Sequence, residues 1–403
     1  MPELKRGNPL GIHIRSAAHG RIPLECVPTL RVFLEDGMSR LLVTGGAGFI
    51  GANFVHYWLG RHPTDRVVVL DALTYAGNRA SLDPVKSDPR FTLVVGDIGD
   101  ILGVEELLRR ECIDTIVHFA AESHVDRSIH GPDAFIQTNV VGTHSLLKAA
   151  RKVWLSEALA PEHRFHHVST DEVYGSLGPK DPGFTETTAY APNSPYSATK
   201  AASDHLVRAY QHTYGLKVTT SNCSNNYGPY HFPEKLIPLM IVNILHGRSL
   251  PVYGDGRNVR DWLHVSDHCR GIELILAQGR IGEVYNIGGG SECENIELVQ
   301  MLCRLADAIF AEDPTLRNRF PQCPAAHGQS AAGLITYVTD RAGHDRRYAI
   351  DCHKIETELG YQAAVTLEAG LRDTFMWYLA NPAWWQAVMD GSYRNWIQTN
   401  YSS

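Results

Sequence analysis

From Arg40 onward, short apolar runs alternate with longer stretches whose apolar residues recur at helical spacing. RLLVTG predicts a first strand, followed by a glycine-rich turn and a helix through Trp58. RVVVLD (Arg66 to Asp71) and RFTLVVGD (Arg90 to Asp97) read as the second and third strands, Ile101 to Arg110 as a helix, and DTIVHFA as a fourth strand. NVVGTHSLLKAARKVW suits a helix and RFHHVST a fifth strand. YSATKAASDHLVRAYQHTYG suits a helix with small residues on one side, and LKVTTSNCS a sixth strand. Strands and helices alternating at this length predict an α/β fold, a Rossmann-type doubly wound parallel sheet. After about Asn226 the rhythm loosens into turns, short strands and helices, with a loop region expected from Asp313 to Gly343. That half reads as a smaller C-terminal lobe laid against the C-terminal edges of the sheet.

Three segments follow: a poorly ordered extension over residues 1–37, a main domain over 38–226, and the lobe with its terminal helices over 227–403, the last two free to interleave. The first segment is rich in Pro, Gly, Arg and His, lacks the apolar core of a secretory signal, and ends at Met38, directly before the first strand. A start placed too far upstream, or a short arm built on VPTLRVFL, are the alternatives. The three tryptophans near the C-terminus are expected to pack rather than to recognise a ligand.

Composition excludes several classes. With 403 residues, 44% of them hydrophobic, the chain can bury a large core. A net charge of -7 gives no electrostatic reason to expect nucleic acid. The eight cysteines form no C-x-x-C, so neither a metal site nor a redox pair is expected, and their usage fits a reducing cytoplasm. No run of 18 apolar residues suggests a membrane span.

TGGAGFIG places Gly45, Gly48 and Gly51 between a strand and a helix. Such a turn lets backbone approach a pyrophosphate seated on the helix N-terminus. Asp71 ends the second strand 20 residues past Gly51, where a carboxylate accepts hydrogen bonds from the adenosine ribose hydroxyls. That favours NAD over NADP. Asp97, in GDI, is either an acceptor for the adenine amino group or an end-of-strand cap. FAAES closes the fourth strand with small residues that let a cofactor run near backbone.

Tyr196 and Lys200 form Y-x-x-x-K at the start of a helix, one turn apart on one face, so the ammonium is expected to depress the phenol pKa. Ser169 and Thr170 end the preceding strand, with Thr170 expected to orient the phenol or a substrate hydroxyl. These residues predict hydride transfer at a carbinol. Asp171 and Glu172, immediately next, exceed what a simple dehydrogenase or epimerase needs. If a sugar C4 hydroxyl is oxidised, the ketone acidifies C5–H; one carboxylate could then take that proton, while a protonated one donates to a departing C6 hydroxyl. Two carboxylates confined together favour one of them holding a proton.

TGGAGFIG, AAESHVDRSI (Ala120 to Ile129), STDEVYG, YSATK, SNCSNNYGPYHFPEKLIPL, YGDGRNVRDWLHVSDH and GHDRRYAID together resemble the dTDP-glucose 4,6-dehydratases of the extended short-chain dehydrogenase/reductase superfamily. The resemblance runs from about Arg40 to the C-terminal helices. It implies that Tyr196 takes the C4 hydroxyl proton beside Lys200 and Thr170, Glu172 removes the C5 proton and Asp171 protonates the leaving C6 hydroxyl. NAD carries the hydride from C4 to C6. It also implies cofactor contacts at Gly45, Gly48, Phe49, Ile50, Gly51, Asp71, Asp97, Ile98, Ala120, Ala121, Ser123, Thr138, Tyr196, Lys200 and Asn226. The lobe becomes a substrate-binding lobe for dTDP-glucose. Its expected contacts are Ser123, Thr170, Asn225, Lys235, Leu236, Pro251, Val252, Tyr253, Arg260, Asn295, Asp340, Arg341 and His344, with Arg260 at the diphosphate and Tyr253 near the thymine. A homodimer is implied, packed through the helices around Val141 to Trp154 and Ser197 to Tyr214. The small residues of AARKVW and AASDHL suit that contact and packing onto the sheet equally. The rivals are a UDP-sugar 4-epimerase, a dehydratase for CDP- or UDP-glucose, and an inactive NAD-binding regulator.

Overall fold

The structure, a computed structural model, describes residues 38–340 and 343–389; the expected N-terminal extension and Arg341 lie outside the described residues. The central sheet begins with β1 (Arg40–Thr44), β2 (Arg66–Asp71), β3 (Phe91–Val95), β4 (Thr115–His118), β5 (Arg164–Thr170) and β6 (Val218–Cys223). β1 is buried along its whole length, which is why it reads as an unbroken apolar run rather than an alternating one.

The lobe contributes β7 (Asn225–Tyr227), β8 (Leu250–Tyr253), β9 (Val259–His264), β10 (Val284–Ile287), β11 (Glu292–Glu294) and β12 (Ile335–Val338). β10 leaves the lobe and pairs with β6, so the main sheet has seven strands in the order β10-β6-β5-β4-β1-β2-β3. Every pairing in it is parallel. Chain order reverses between β1 and β4, and ligands of open α/β sheets bind at the carboxyl ends of the strands around such a point.

Two elements differ from the sequence expectation. β10 supplies a seventh strand from a four-residue segment, VYNI, too short to register as a strand before β6 offers it a partner. The expected loop from Asp313 to Gly343 contains β12, which is largely solvent-facing and gains its form by pairing in parallel with β8. Its side chains therefore carry little pattern.

Apolar clusters cover both faces of the sheet. In the lobe, the helices Leu236–Leu245, Asn295–Glu312 and Leu367–Ala380 surround a third cluster that includes fully buried Trp385. Trp384 packs against Trp377 and Tyr230, so both described terminal tryptophans pack as expected. The small residues of AARKVW, Ala149 and Ala150, lie in the core beside the sheet. No helix among the described residues is long and apolar enough to cross a membrane.

Candidate active site

The glycine-rich turn leaves β1 and enters the helix Phe49–Arg61 with Gly48 as N-cap, and no side chain caps it. Gly45 adopts φ +69°, and a Cβ there would lie 2.6 Å from the Ala120 amide nitrogen. A Cβ on Gly51 would stand 2.3 Å from the Gly45 carbonyl oxygen. The turn is therefore packed tightly on its inner side. At Gly48 a Cβ would meet only the Gly45 oxygen, at 3.3 Å, so the outer side is open. The first-turn amides and that open side fit a pyrophosphate.

Asp71 ends β2 with both oxygens anchored: Oδ2 accepts from the Ala47 amide and Oδ1 from the Leu73 amide, each at 2.8 Å. Burial pushes its pKa up and those two amides pull it down. Each carboxylate oxygen keeps a further lone pair for a ribose hydroxyl. Asp97 is exposed, its Oδ1 accepting from the Gly99 amide at 2.7 Å, which is the cap geometry; Ile98 beside it is buried. Phe49 stacks on His231 with ring centroids 4.1 Å apart, while Ile50, Ala120, Ala121 and Thr138 are half-buried. These residues fit NAD.

The catalytic candidates converge at the carboxyl end of β5. Thr170 is its last residue, and the 3-10 turn Asp171–Tyr174 follows at once. The helix Pro195–Tyr214 starts from a capping box in which Ser194 and Ser197 each accept from the other's amide at 3.1 Å, with Pro195 in the first turn. That fixes Tyr196 in the first turn, where the positive end of the helix dipole favours a phenolate. The Thr170 hydroxyl is hydrogen-bonded to the Tyr196 phenol and lies 3.4 Å from Asp171 Oδ1.

Asp171 is almost completely buried, and its Oδ2 has no hydrogen-bond partner. Burial, then the charges of Glu172 and Asp261, push its pKa well above the carboxylate range, against Arg260 and Thr170. Glu172 is half-buried. The pair thus divides into a proton-holding carboxyl and a more solvated neighbour.

Tyr196 departs from expectation. Burial first, then the charge of Glu172, push the phenol well above its usual range. Burial outweighs the help expected from Lys200, whose buried Nζ donates to the Val168 carbonyl at 2.8 Å. Spacing predicts that the two side chains share a face; it does not predict where the ammonium is directed.

The lobe residues gather in two groups. Lys235, N-cap of the helix Leu236–Leu245, donates to the Ser123 carbonyl at 3.0 Å, and the Tyr253 hydroxyl lies 3.4 Å from Asp126 Oδ2; both contacts tie the lobe to the main sheet. Leu236 is half-buried, and Pro251 and Val252 are buried along β8. Register places Tyr253 beside Val338, so the loop after β12 comes past it. His344 meets the Tyr253 ring edge-on at 6.0 Å and bonds Asp340 at 2.6 Å. Nearby, Arg260 donates to the Val259 and Asp345 carbonyls at 2.7 and 2.9 Å, with its guanidinium 4.3 Å over the Tyr348 ring. Asn295 and Asn225 each have a buried Oδ1 without a partner. Asn226 instead bonds Ser224 O and His268 Nδ1.

Sequence reasoning overlooked Asp261, whose charge acts on Asp171, Cys223, a buried thiol within reach of Tyr196 and Lys200, and Tyr348, which packs under Arg260. Each lies inside a stretch that carries the family resemblance, but the groups they act on are distant in sequence, so the stretch does not show what they do. Asp204 was also overlooked, although its spacing of four residues past Lys200 was a usable signal.

Fold and site together define an NAD-dependent nucleotide-sugar enzyme of the extended short-chain dehydrogenase/reductase superfamily. Residues 42–374 match the family described as GDP-mannose 4,6 dehydratase. A dTDP-glucose 4,6-dehydratase of Xanthomonas campestris pv. campestris is 58% identical over 359 residues, covering 89% of this chain and 98% of its own. One from Escherichia coli K12 is 50% identical over 372 residues, covering 90% and 99%. The crystal structure of a dTDP-glucose 4,6-dehydratase from Streptomyces venezuelae, with NAD bound, superposes with a TM-score of 0.76 at 50% identity, covering 87% and 99%. The chain belongs to the dTDP-glucose 4,6-dehydratase family. A UDP-glucuronic acid 4-epimerase from Bacillus cereus shares the fold at 25% identity and a TM-score of 0.72.

Proposed function

We propose that the protein converts dTDP-glucose to dTDP-4-dehydro-6-deoxyglucose and water by C4 oxidation, elimination across C5–C6 and reduction at C6. The observation that carries this reading is the buried Asp171 carboxyl, proton-holding and with an unpartnered oxygen, next to Glu172 and the Tyr196–Thr170 pair. When bound, NAD supplies the hydride acceptor for C4, the hydride donor for C6 and a positively charged ring. The glycine turn and Asp71 would hold it, with Lys200 beside it and Asn226 supporting the nicotinamide side.

Tyr196, as the phenolate that the Lys200 ammonium and the positive ring of the bound cofactor would favour, removes the C4 hydroxyl proton, with Thr170 orienting it. Glu172, the more solvated carboxylate, takes the C5 proton once C4 is a ketone, and C5 is reprotonated after the hydride reaches C6. Asp171, proton-holding because it is buried against like charge, protonates the C6 hydroxyl as it leaves. The epimerase alternative has no use for this pair. Arg260 supplies charge for the diphosphate, with Asn295, Asp340, Arg341 and His344 around it, while Lys235, Leu236 and Pro251 to Tyr253 line the nucleotide path. Ser123 and Asn225 contact the sugar.

Incubation with dTDP-, CDP- and UDP-glucose in parallel, with products identified by mass and NMR, tests the assignment. The expected result is a 4-keto-6-deoxy product from the dTDP sugar, formed at least about tenfold faster than from the others. A C4 epimer retaining its C6 hydroxyl would refute it.

A homodimer in the cytoplasm completes the proposal. Ile136 and Val141 on the helical stretch after β4, and Tyr214 at the end of the helix bearing Tyr196, are exposed large apolar groups. A second copy would cover them. A sedimentation mass of one chain would contradict this.

A further inference from the structure

Lys200 carries its charge where charge is costly, buried between β5 and its own helix. One turn further along the same helix, Asp204 is also buried, at 6% exposure, so Tyr196, Lys200 and Asp204 form one stripe at four-residue spacing. The Asp204 carboxylate is closely held. It accepts from Ser169 Oγ at 2.8 Å, from the Tyr190 hydroxyl at 3.0 Å and from His167 Nε2 at 3.0 Å. His167 Nδ1 has no partner, and burial and the charge of Lys200 hold the ring neutral, so its proton sits on Nε2 and points at Asp204. The pinning residues come from β5 and from the loop preceding the helix.

We infer that Asp204 is a positioning residue of this site: pinned by Ser169, Tyr190 and His167, it is the buried counter-charge that keeps Lys200 an ammonium one turn from Tyr196. The inference rests on the reading of Tyr196 and Lys200 as the pair that works on the C4 hydroxyl.

The surroundings leave Asp204 that task. Around Lys200 stand His118 from β4, His167 from β5, Cys223 from β6, and Tyr196 and Asp204 from its own helix. Burial pushes the His118 and His167 imidazoles down and the Cys223 thiol up, so all three are neutral near pH 7. Tyr196 is pushed up as well, so the fold by itself keeps it a neutral phenol and no counter-charge for Lys200. His205 faces Asp204 from the exposed side of the helix. Burial lowers Lys200 itself, and Asp204 is the leading group opposing that. The Asp204 carboxyl is pushed up to about 6, so its charge is present above that pH and is lost as pH falls through it.

The test is Asp204→Asn, which keeps the shape and removes the charge. Loss of the counter-charge should let Lys200 shed its proton sooner. The alkaline limb of kcat against pH then moves about one unit or more toward acid, and kcat at pH 8 falls by about tenfold, with KM for dTDP-glucose nearly unchanged. A direct readout is the NMR titration of Lys200 in protein labelled with ¹³C at lysine Cε, assigned with Lys200→Met; its midpoint should fall in Asp204→Asn. Tyr190→Phe removes one donor and leaves the charge, so it should produce a smaller shift of the same sign even if the Asn variant folds poorly. Coincident lysine titrations and alkaline limbs in all three proteins would overturn the inference, whatever happens to Tm. Wild-type protein inert toward dTDP-glucose would refute the proposed function instead, and the lysine titration would still decide the role of Asp204.

Discussion

Glu172→Gln should abolish exchange of the C5 hydrogen in deuterium oxide and lower turnover of dTDP-glucose by about 10² to 10⁴-fold, the usual range for loss of a positioned acid or base. The amide keeps the size of the side chain and cannot take the proton. Tyr196, Lys200 and Thr170 are untouched, so C4 chemistry remains available and the block falls on the next step. NMR of recovered substrate reads the exchange directly. Washout of C5–H at the wild-type rate would show that another group is the base. A C4 epimer accumulating with its C6 hydroxyl intact would favour the epimerase reading.

Asp171→Asn has two expected effects of opposite sign. Activity should fall by about 10² to 10³-fold, because the amide cannot deliver a proton to the leaving C6 hydroxyl. Exchange at C5 should persist, so the ratio of exchange to elimination rises where Glu172→Gln makes it vanish. Stability should move the other way. In the unfolded chain Asp171 ionises near ~3.9, while in the fold burial and the Glu172 and Asp261 charges hold its proton well above that. The folded protein therefore binds the extra proton in that interval. Its contribution to stability is fully present below the unfolded pKa and is lost as pH rises through the folded one. Asn stays neutral throughout. The gain in Tm of the variant over the wild type should be small at pH 5 and larger at pH 8. A gain independent of pH, or a loss that grows toward pH 8, would show that Asp171 is not held protonated by the fold.

These opposed effects locate a strained arrangement that a stability criterion alone would remove. A carboxyl with an unpartnered buried oxygen beside two like charges is a poor structural element and a good proton donor. Arg260 lies within electrostatic reach of it while its guanidinium is packed over Tyr348, so the proposed diphosphate ligand and the proposed proton donor share one field.

The sequence by itself determined the elements whose signal is local. The first six strands of the sheet, the glycine turn with Asp71 at the end of β2, and the helix carrying Tyr196 and Lys200 are all legible, because periodicity and motif spacing report on contacts within a few turns of chain. The adjacency of Asp171 and Glu172 is covalent, so their presence at one place was certain. What each does was not legible. Only the tertiary structure buries Asp171 and leaves Glu172 half-solvated, and pKa depends on that difference. Only the tertiary structure aims Lys200 at the Val168 carbonyl and surrounds Asp204 with Ser169, Tyr190 and His167. The strands β10 and β12 escaped for the same reason: each is four residues long and exists because a partner strand, distant in sequence, completes its hydrogen bonds. Spacing along the chain fixes which face a side chain shares; desolvation and long-range pairing depend on what the fold brings against that face.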